Sequence, residues 1–577
     1  MTFAQFTSYL EKLEATSSRL ALIDILAQLF QQVEAKEIAK VAYLIQGRVG
    51  PFYEPIEMGM SEKLVAAAIA KAYGIEKEEV LKGYGRVGDL GLVAQRVSNK
   101  RQITSTELTV EEVFETLRAI AETSGKGTVE KKTTLLAGLL GKVDEIGAKH
   151  LVRIPLGSSR LGVGDPTLLD AFAQTKLGDR KRRKELEEAY NRTSDLGLIG
   201  QTLWQKGLQG VKKLDVAVGR PIRPELAERL PDAKTILVKF GGQAHVQYKY
   251  DGFRTELHKD GDHVRIFSRN LEETTAMLPE LVEGVKKQVK AKSAILDAEA
   301  LAFNPESDEF LPFQETTKRR RKYGVEEMAK KLPLKAFVFD IMYVDGKSLI
   351  DRPLQERMEV LKKVVSSDDI LVPQSGEITA SEERINNLFN DAITKGLEGL
   401  LVKRPDSKYE AGARNFNWVK LKRHSAGELK DTIDCVILGY IWGRGKRAKF
   451  GAGSLLVGVY DKEKDEFVTV SKIGTGLTDE EWKTIHARAD KIKVEHRPAR
   501  VNAILEPSVW IKPEIVIEVL ADEITRSPIH TAGKEGKEAG YALRFPRLIK
   551  FREDKEPEDA TTVKELTEMY QQQHKKD

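Results

Sequence analysis

One segment of the chain carries the residue types that nucleophilic attack by a lysine requires. It reads Tyr248-Lys249-Tyr250-Asp251-Gly252-Phe253-Arg254. A protonated lysine is a poor nucleophile, but burial and a nearby positive charge lower its pKa and free the amine lone pair. Arg254 follows Lys249 by five residues and carries such a charge. Taken alone, the segment is equally typical of a strand that ends in an Asp-Gly turn with its charges in water.

The part of the chain that precedes this segment has a helical pattern. Apolar residues recur at helix spacing up to about Gly219, as in the stretch 64–72. The stretch 89–95 is echoed by 195–201, which predicts two related helical turns. Two prolines and a glycine in 219–224 favour an extended connection there. We therefore expect the first domain boundary at this point.

Short β-rich runs follow this boundary and predict a mixed α+β region around the lysine segment. They lie at 246–250, 295–303 and 336–344, with a helical pattern at 278–289. After Leu421 strand-like runs come in quick succession, which is typical of a small β-barrel. These runs lie at 435–440, 455–460, 467–470 and 515–520. The tail 561–577 has a helical pattern with a polar end.

Length and composition indicate a folded protein of several domains. The chain has 577 residues, which at roughly 150 residues per domain predicts about three or four domains. Its 41% hydrophobic and 31% charged residues exclude a largely disordered chain. The 93 basic and 88 acidic residues leave a net charge of +5. Attraction to nucleic acid must therefore come from local patches.

The single cysteine and the first residues predict the compartment. Cys435 lies in an apolar run, and one cysteine makes neither an internal disulfide nor a cysteine-cluster zinc site. The stretch 1–13 places its apolar residues on one helical face, unlike a signal peptide or a membrane span. We therefore expect a reducing compartment. In a prokaryote this would be the cytoplasm beside the nucleoid, and the nucleus is the alternative.

Further blocks follow the lysine segment in order. They are Phe267-Ser268-Arg269-Asn270, Leu296-Asp297-Ala298-Glu299-Ala300, Phe337 to Gly346, Glu398-Gly399-Leu400-Leu401-Val402-Lys403, Trp418-Val419-Lys420-Leu421-Lys422 and Arg544 to Lys555. With the lysine segment, this series resembles the nucleotidyltransferase motifs of ATP-dependent DNA ligases. The segment 160–165 and the two Asp-Leu-Gly-Leu copies resemble the DNA-binding domain of archaeal and eukaryotic-type ligases.

The resemblance covers almost the whole chain and implies a multidomain fold. It implies an all-α DNA-binding domain at 1–218 and an α+β nucleotidyltransferase (ATP-grasp-like adenylation) domain at 219–427. A C-terminal OB-fold β-barrel with a helical tail would occupy 428–577. By the same resemblance, the three domains encircle a nicked duplex.

The resemblance also implies which residues carry the reaction. Lys249 matches the lysine that attacks the α-phosphorus of ATP and becomes lysine-AMP, with release of pyrophosphate. Lys420 and Lys422 match positions beside the α-phosphate, where positive groups stabilise a charge-rich transition state. On its own, their Lys-x-Lys spacing is more typical of a solvated strand face.

Acidic and arginine positions of the family are matched as well. Glu299 and Glu398 match the two acids implicated in binding a divalent metal, Mg²⁺ or Mn²⁺, which prefers oxygen ligands. Glu299 also fits a contact to the nucleotide sugar. Arg254, Arg269 and Arg414 match nucleotide or phosphate contacts, since guanidinium groups pair well with phosphate oxygens.

Contacts to the base are implied for two further residues. Phe339 matches the aromatic residue that stacks on adenine, although a lone phenylalanine is more typical of a core. Gln247 stands where the family commonly has glutamate against the base, and an amide also hydrogen-bonds adenine. The choice of donor among ATP, ADP, GTP and NAD therefore stays open at this point. Asp251 is a motif carboxylate with a positioning role.

The last block implies motion of the C-terminal domain. Arg544 and Lys555 match the segment that the family swings over the nucleotide, where added cations orient the pyrophosphate. The same domain then rotates to hold DNA, so the loop 420–428 is our hypothesis for the hinge.

Two basic runs, 180–184 and 318–322, carry charges that suit DNA phosphates. Most such runs are only solvated faces. The resemblance favours the second run as a phosphate contact, and leaves the first open.

The sequence therefore predicts an ATP-dependent DNA ligase that seals 5′-phosphate/3′-hydroxyl nicks in duplex DNA during replication, repair and recombination. Nicked double-stranded DNA is the expected partner. A sliding clamp is a second expected partner, although no docking peptide stands out in the sequence. We expect the protein to be a monomer that does not associate with membranes. An RNA ligase or capping guanylyltransferase shares the lysine motif, but the long helical domain argues against both. An NAD-dependent ligase would carry a four-cysteine zinc site. A non-catalytic DNA-binding scaffold has no need of these site residues.

Overall fold

The computed structural model describes most of the chain in two compact units, Met1–Leu421 and Lys422–Asp577. The residues outside the description are 99–107, 158, 304–315, 322, 369, 396, 423–431, 443–450, 475–476, 522, 537, 545 and 575–577. No described helix is long and apolar enough to cross a membrane.

The first unit begins with a helical region around one apolar core, which confirms the prediction for this part of the chain. Its helices are Phe3–Glu14, Arg19–Gln31, Ile38–Ile45, Glu62–Tyr73, Lys77–Val87, Leu90–Ser98, Val110–Glu122, Thr128–Leu140, Glu145–Arg153, Asp165–Leu177, Arg183–Thr193 and Leu196–Val211. The two related stretches both open a helix with an aspartate. Asp195 caps its helix by accepting from Leu198 N at 3.0 Å, and Asp89 accepts from Gly91 N at 2.8 Å.

The rest of the first unit is built on two sheets, and their strands carry most of the predicted motifs. Neighbouring strands of the first sheet are, in order, Leu226–Arg229, Arg414–Lys422, Gly399–Lys403, Ala244–Lys249 and Glu377–Thr379. Those of the second are His263–Ser268, Phe253–Asp260, Ser293–Ala302, Leu334–Val344 and Lys347–Ser348, with Leu371–Pro373 beside Leu334–Val344. The helices here are Ala233–Phe240, Pro279–Gln288, Val325–Lys331, Leu354–Val364 and Glu382–Thr394. This is the predicted α+β nucleotidyltransferase region.

The chain passes from one sheet to the other at the lysine segment. Lys249 ends its strand in the first sheet, and Phe253 begins the next strand in the second sheet. Gly252 makes this crossing tight, because a Cβ there would lie 2.2 Å from the carbonyl oxygen of Ala300. Only glycine lets the two main chains approach so closely.

The second unit is a β domain, as predicted. Neighbouring strands of its curled sheet are Lys493–Val494, Val509–Leu520, Ile433–Trp442, Ala452–Asp461, Glu466–Ile473 and Val501–Asn502, with Arg547–Phe551 beside Val509–Leu520. Glu523–Ser527 and Gly540–Arg544 form a two-stranded sheet, and the helices are Asp479–Lys491 and Val563–His574. Bulges interrupt the central pairings and bend these strands. Cys435 is buried in this domain's core.

Candidate active site

The structure brings Lys249 and Glu398 together where two paired strands meet at their ends, since Lys249 ends one strand and Glu398 directly precedes the other. Lys249 is in register with Gly399 of the antiparallel neighbouring strand. Glu398 N donates to Lys249 O at 3.0 Å, and Lys249 Nζ lies 2.5 Å from Glu398 Oε2. The side chains are 24% and 17% exposed. The lysine is thus largely enclosed, with its amine held at a defined place.

The electrostatic surroundings of Lys249 favour a reactive amine. Burial lowers its pKa below the ordinary value, against the opposing charges of Glu299 and Asp251. The positive charges of Arg254 and Arg269 lower it further. A lower pKa makes the unprotonated, nucleophilic form of the amine easier to reach near neutral pH.

Glu299 is the acidic residue that the second sheet contributes to the site, on the strand Ser293–Ala302. Its strand pairs with that of Arg254, and the two residues are directly opposite each other. Glu299 Oε1 accepts from Gly252 N at 3.2 Å. Burial raises the pKa of Glu299 to about 7, while the charges of Lys249 and Arg254 oppose that rise. Any further positive charge beside Glu299 would therefore lower its pKa and stabilise the ionised carboxylate.

Arg254 is fixed within the protein by a bidentate contact. Its Nε and Nη2 lie 2.8 and 2.5 Å from the two oxygens of Asp297. Nη1 donates to Glu225 O at 2.6 Å, and Nη2 lies 3.2 Å from Tyr409 Oη. Although burial opposes it, Asp297 raises the pKa of Arg254. The structure thus shows Arg254 as a fixed positive charge beside the lysine, with its donors already engaged.

Gln247, two residues before Lys249 on the same strand, contacts the main chain of Phe339. Gln247 Nε2 donates to Gln374 O at 2.6 Å and to Phe339 O at 3.2 Å. These two carbonyl acceptors fix the orientation of the amide. Its Oε1 is buried and has no hydrogen-bond partner in the described part of the chain. Phe339 packs edge-on against Trp418, with ring centroids 5.9 Å apart, and is 9% exposed.

The strand Arg414–Lys422 supplies further positive charge. Burial lowers the pKa of Lys420, and the charges of Arg414 and Lys249 lower it further, which places Lys420 in the same electrostatic environment as the predicted nucleophile. Lys422 is half-buried at the end of the same strand, two residues on, and Arg414 is exposed at its start. The alternation puts Lys420 and Lys422 on one face of the strand.

Arg269 and Asp251 are two further charged residues that influence Lys249. Arg269 follows the strand His263–Ser268, is exposed, and makes no hydrogen bond or ion pair with any residue that the structure describes. Its charge nevertheless lowers the pKa of Lys249. Asp251 is half-buried two residues after the end of the lysine strand, and its charge raises that pKa.

The predicted residues of the last block lie in the second unit. Arg544 Nη1 lies 2.9 Å from Glu523 Oε1, and Lys555 Nζ lies 2.7 Å from Asp434 Oδ2. Both cations are therefore paired with carboxylates of their own domain. Most of the predicted hinge, 423–428, lies outside the described residues.

The second basic run is partly structural. Arg319 is fully buried and pairs with Glu280, and Arg320 Nη2 lies 3.3 Å from Glu272. Lys322 lies outside the described residues. The expectation that this whole run contacts phosphate therefore fails for Arg319, because its guanidinium is enclosed and neutralised.

In the first basic run, Arg182 and Arg183 are also paired, with Glu185 at 2.7 Å and Glu187 at 3.3 Å. Both pairs join neighbouring turns of chain, and both arginines keep part of their surface in water. The run therefore fits a largely solvated face.

Sequence reasoning missed a buried ionic cluster beneath Phe339. Arg357 Nε and Nη2 lie 2.8 and 3.0 Å from the two oxygens of Asp340. Lys403 Nζ donates to Phe339 O at 2.9 Å and lies 3.4 Å from Asp340 Oδ2. Burial lowers the pKa of Lys403 to about 8, against the charge of Asp340. Asp340 and Lys403 lie within motif blocks, so the sequence carried a signal for them. Arg357 lies in a helix without any motif, so it carried none.

Comparisons with known proteins cover the same three regions. The family model described as "ATP dependent DNA ligase domain" matches residues 224–422. The model "DNA ligase N terminus" matches 2–173, and "ATP dependent DNA ligase C terminal region" matches 448–555.

Relatives match from end to end. A "Probable DNA ligase" of Dictyoglomus turgidum is 49% identical over 100% of this chain and 98% of its own length. A "DNA ligase" of Sulfolobus acidocaldarius is 40% identical over 100% of this chain and 99% of its own length. The solved structure named "Pmar-Lig_PreS3" shares the fold, with a TM-score of 0.53 and 16% identity over 95% of this chain and 99% of its own.

The fold and the site define a lysine nucleotidyltransferase with a helical region before it and a β domain after it. Together with the matches, they identify its family. The chain belongs to the ATP-dependent DNA ligases, enzymes that use ATP to seal nicks in DNA. The RNA ligase, the capping enzyme and the non-catalytic scaffold are not favoured.

Proposed function

We propose that Lys249 is the residue of this ligase that receives AMP. The observation that carries the proposal is the position of its amine, largely enclosed, 2.5 Å from Glu398 Oε2, with a pKa lowered by burial and by two arginines. The nitrogen attacks the α-phosphorus of ATP, the N–P bond forms, and the bond to pyrophosphate breaks. Glu398 Oε2 is the nearest group to take the proton that the ammonium must lose before attack.

The later steps use the same set of charges. AMP passes from Lys249 to the 5′-phosphate of the nick, which gives that phosphate a good leaving group. The 3′-hydroxyl then attacks the phosphorus, the phosphodiester bond forms, and AMP leaves. Lys420 and Lys422 offset the negative charge that builds up on phosphate oxygens. Arg269 and Arg414 are exposed and carry guanidinium groups for phosphate.

The acidic pair fits a divalent cation. Glu299 and Glu398 both lie beside Lys249, and burial holds the pKa of Glu299 at about 7. Mg²⁺ or Mn²⁺ takes such oxygen ligands, and a cation there would relieve the cost of the buried charge on Glu299. When bound, the metal offsets the charge of the triphosphate. Asp251 positions the lysine segment between these carboxylates.

The choice of ATP as donor rests on Gln247. Its buried Oε1 lacks a partner among the described residues, so it offers an acceptor. The exocyclic amino group of adenine donates to such an acceptor, whereas guanine presents a carbonyl oxygen on that edge. Phe339, whose main-chain carbonyl contacts the same Gln247 side chain, is the residue that we assign to stacking on adenine. These two residues therefore favour ATP over GTP.

We extend the proposal to the domain boundaries and to the second unit. The domains are 1–218, 219–427 and 428–577, with the hinge at 420–428, and the third is the OB-fold. Arg544 and Lys555 orient pyrophosphate when this domain covers the nucleotide. We further propose that the enzyme acts as a monomer and docks on a sliding clamp. It works in the cytoplasm beside the nucleoid if the organism is a prokaryote, and in the nucleus otherwise. The single buried cysteine suits a reducing compartment.

A substrate that already carries AMP tests the role of Lys249 most sharply. Lys249→Ala should fail to seal an ordinary 5′-phosphate nick with ATP, yet seal a nick whose 5′ end is already adenylylated. Lys292→Ala, an exposed lysine of the same region, is the matched control and should seal both. If Lys249→Ala sealed the ordinary nick with ATP, the proposal would be overturned.

A further inference from the structure

A cavity of about 690 Å³ lies within the first unit, between the helical region and the nucleotidyltransferase region. Arg48 and Ser194 line it from the helical side, and Arg223 and Arg269 line it from the other side. None of the motifs that identified the family predicts Arg48, Ser194 or Arg223. The cavity therefore needs its own explanation.

The walls of this cavity carry an excess of positive charge. Arg48 stacks on Phe52, 4.1 Å from the ring centre, and makes no ion pair with any described residue. Burial lowers the pKa of Arg48, so it is held there at a cost. The lining also carries the acids Asp165 and Glu187, but Asp165 is bound by Arg223 Nη2 at 2.7 Å and Glu187 Oε2 lies 3.3 Å from Arg183 Nε. Arg48 and Arg269 are thus left uncompensated.

The cavity also presents donors that lack acceptors. Ser194 is 4% exposed, and its Oγ has no partner within the described structure. Arg223 Nε is buried and likewise unpartnered there. Buried polar atoms are nearly always hydrogen-bonded, so an orphan hydroxyl and an orphan N–H in one cavity point to an absent ligand. Two such donors beside two free guanidinium groups match an anion.

Arg269 connects this cavity to the reaction site. It lines the cavity, and its charge lowers the pKa of Lys249. A DNA strand whose 5′-phosphate reaches Lys249 carries further phosphates along its backbone. The cavity is far larger than a single phosphate ion, and donors lie on both of its walls. A phosphate backbone suits these features better than a free ion does.

We propose that this cavity binds backbone phosphates of the nicked DNA strand next to the reacting end, through Arg48, Ser194, Arg223 and Arg269. The proposal rests on the nick-sealing function and adds a binding site to it. Because both regions of the first unit supply donors, the bound strand would hold the helical region and the nucleotidyltransferase region in one register on the DNA.

Equilibrium binding to a nicked duplex tests the site in the full-length protein. Arg48→Ala should raise Kd about tenfold, as expected for loss of a charged hydrogen bond. It should also reduce the slope of log K against log salt by about 1, because one phosphate contact is lost. Arg48→Lys should recover part of the affinity. Arg384→Ala removes the same charge from an exposed pair with Glu377 and should leave both quantities unchanged. An unaltered Kd and salt slope for Arg48→Ala would overturn the proposal.

Duplexes with one neutral methylphosphonate at a time locate the contact. The wild type should lose affinity at one or two positions beside the nick, and Arg48→Ala should be insensitive at those same positions. Equal sensitivity of the two proteins at every position would contradict the proposal. So would a thermal shift with inorganic phosphate or pyrophosphate that Arg48→Ala abolishes while DNA binding is unchanged, since the site would then serve a free anion.

Self-adenylation with ATP needs no DNA and separates this proposal from the previous one. Arg48→Ala should form the lysine-AMP adduct as fast as the wild type, which also shows that the variant is folded. If the wild type formed no adduct, the role of Lys249 would be refuted. If Arg48→Ala formed the adduct and bound DNA as the wild type does, only the proposed phosphate-binding role of the cavity would be refuted.

Discussion

Glu398 Oε2 lies 2.5 Å from Lys249 Nζ, and the main chains of the same two residues are joined by a hydrogen bond of 3.0 Å. The antiparallel register of their strands produces both contacts. The amine is therefore placed by the sheet itself, and its protonation is governed by fixed neighbours.

The pH dependence of self-adenylation should change when Arg269 is removed. Burial lowers the pKa of Lys249, and the positive charge of Arg269 lowers it further. Arg269→Ala should raise that pKa, so the rise of the adenylation rate with pH should move to higher pH. Stopped assays without DNA measure the profile, with Arg384→Ala as the control. A profile that stays in place or moves to lower pH would refute the electrostatic role of Arg269.

Donor discrimination should depend on the Gln247 carbonyl oxygen. Gln247→Leu removes the acceptor and should lower kcat/KM for ATP in self-adenylation about tenfold, as loss of one hydrogen bond predicts. The rate with GTP, which gains nothing from that acceptor, should change little. Arg384→Ala, which alters an exposed pair outside the site, serves as the control and should keep the wild-type rate with ATP. Equal losses with ATP and GTP would argue against base recognition by this residue.

Stability at alkaline pH should improve in Glu225→Gln. Burial raises the pKa of Glu225 to about 8, above its ordinary value of 4.5. Because the folded pKa is the higher one, the stability linked to this group is full below about 4.5 and is lost as pH rises towards 8. Glutamine mimics the protonated form and should remove this loss. The gain in Tm over the wild type should be small at pH 5 and larger at pH 8.5, and a gain independent of pH would contradict it.

The buried cluster beneath Phe339 should act as a unit. Arg357→Met leaves Asp340 without its bidentate partner and should destabilise the first unit by about 3–5 kcal/mol. Arg357→Met combined with Asp340→Leu removes both charges and should be less destabilised than the single variant. Chemical denaturation measures the difference. Additive losses in the double variant would show that the two residues are not coupled.

The sequence predicted the motif strands and the helical region well, because local spacing encodes both. The apolar face of Phe3, Phe6, Leu10 and Leu13 indeed forms the buried side of the first helix. Burial of charged groups was not predictable in this way. Arg319 reads as a surface cation within a basic run, yet it is enclosed against Glu280.

Two further residues show the same limit. Glu225 has no motif around it, and only the folded chain places its carbonyl oxygen on Arg254 and its carboxylate on Glu410 N. Arg357 similarly depends on Asp340, which lies 17 residues earlier on the strand Leu334–Val344. Such contacts arise from the packing of one element on another, which no local pattern records.

The mass of the Lys249 peptide after incubation with a nucleotide tests the central claim most directly. Protein freed of bound AMP is incubated with Mg²⁺ and ATP, GTP or NAD in separate tubes, denatured and digested. The structure predicts an AMP adduct on Lys249 from ATP, a much smaller yield of GMP adduct from GTP, and no adduct from NAD. An adduct on another residue, or no adduct from any donor, would contradict the role given to Lys249.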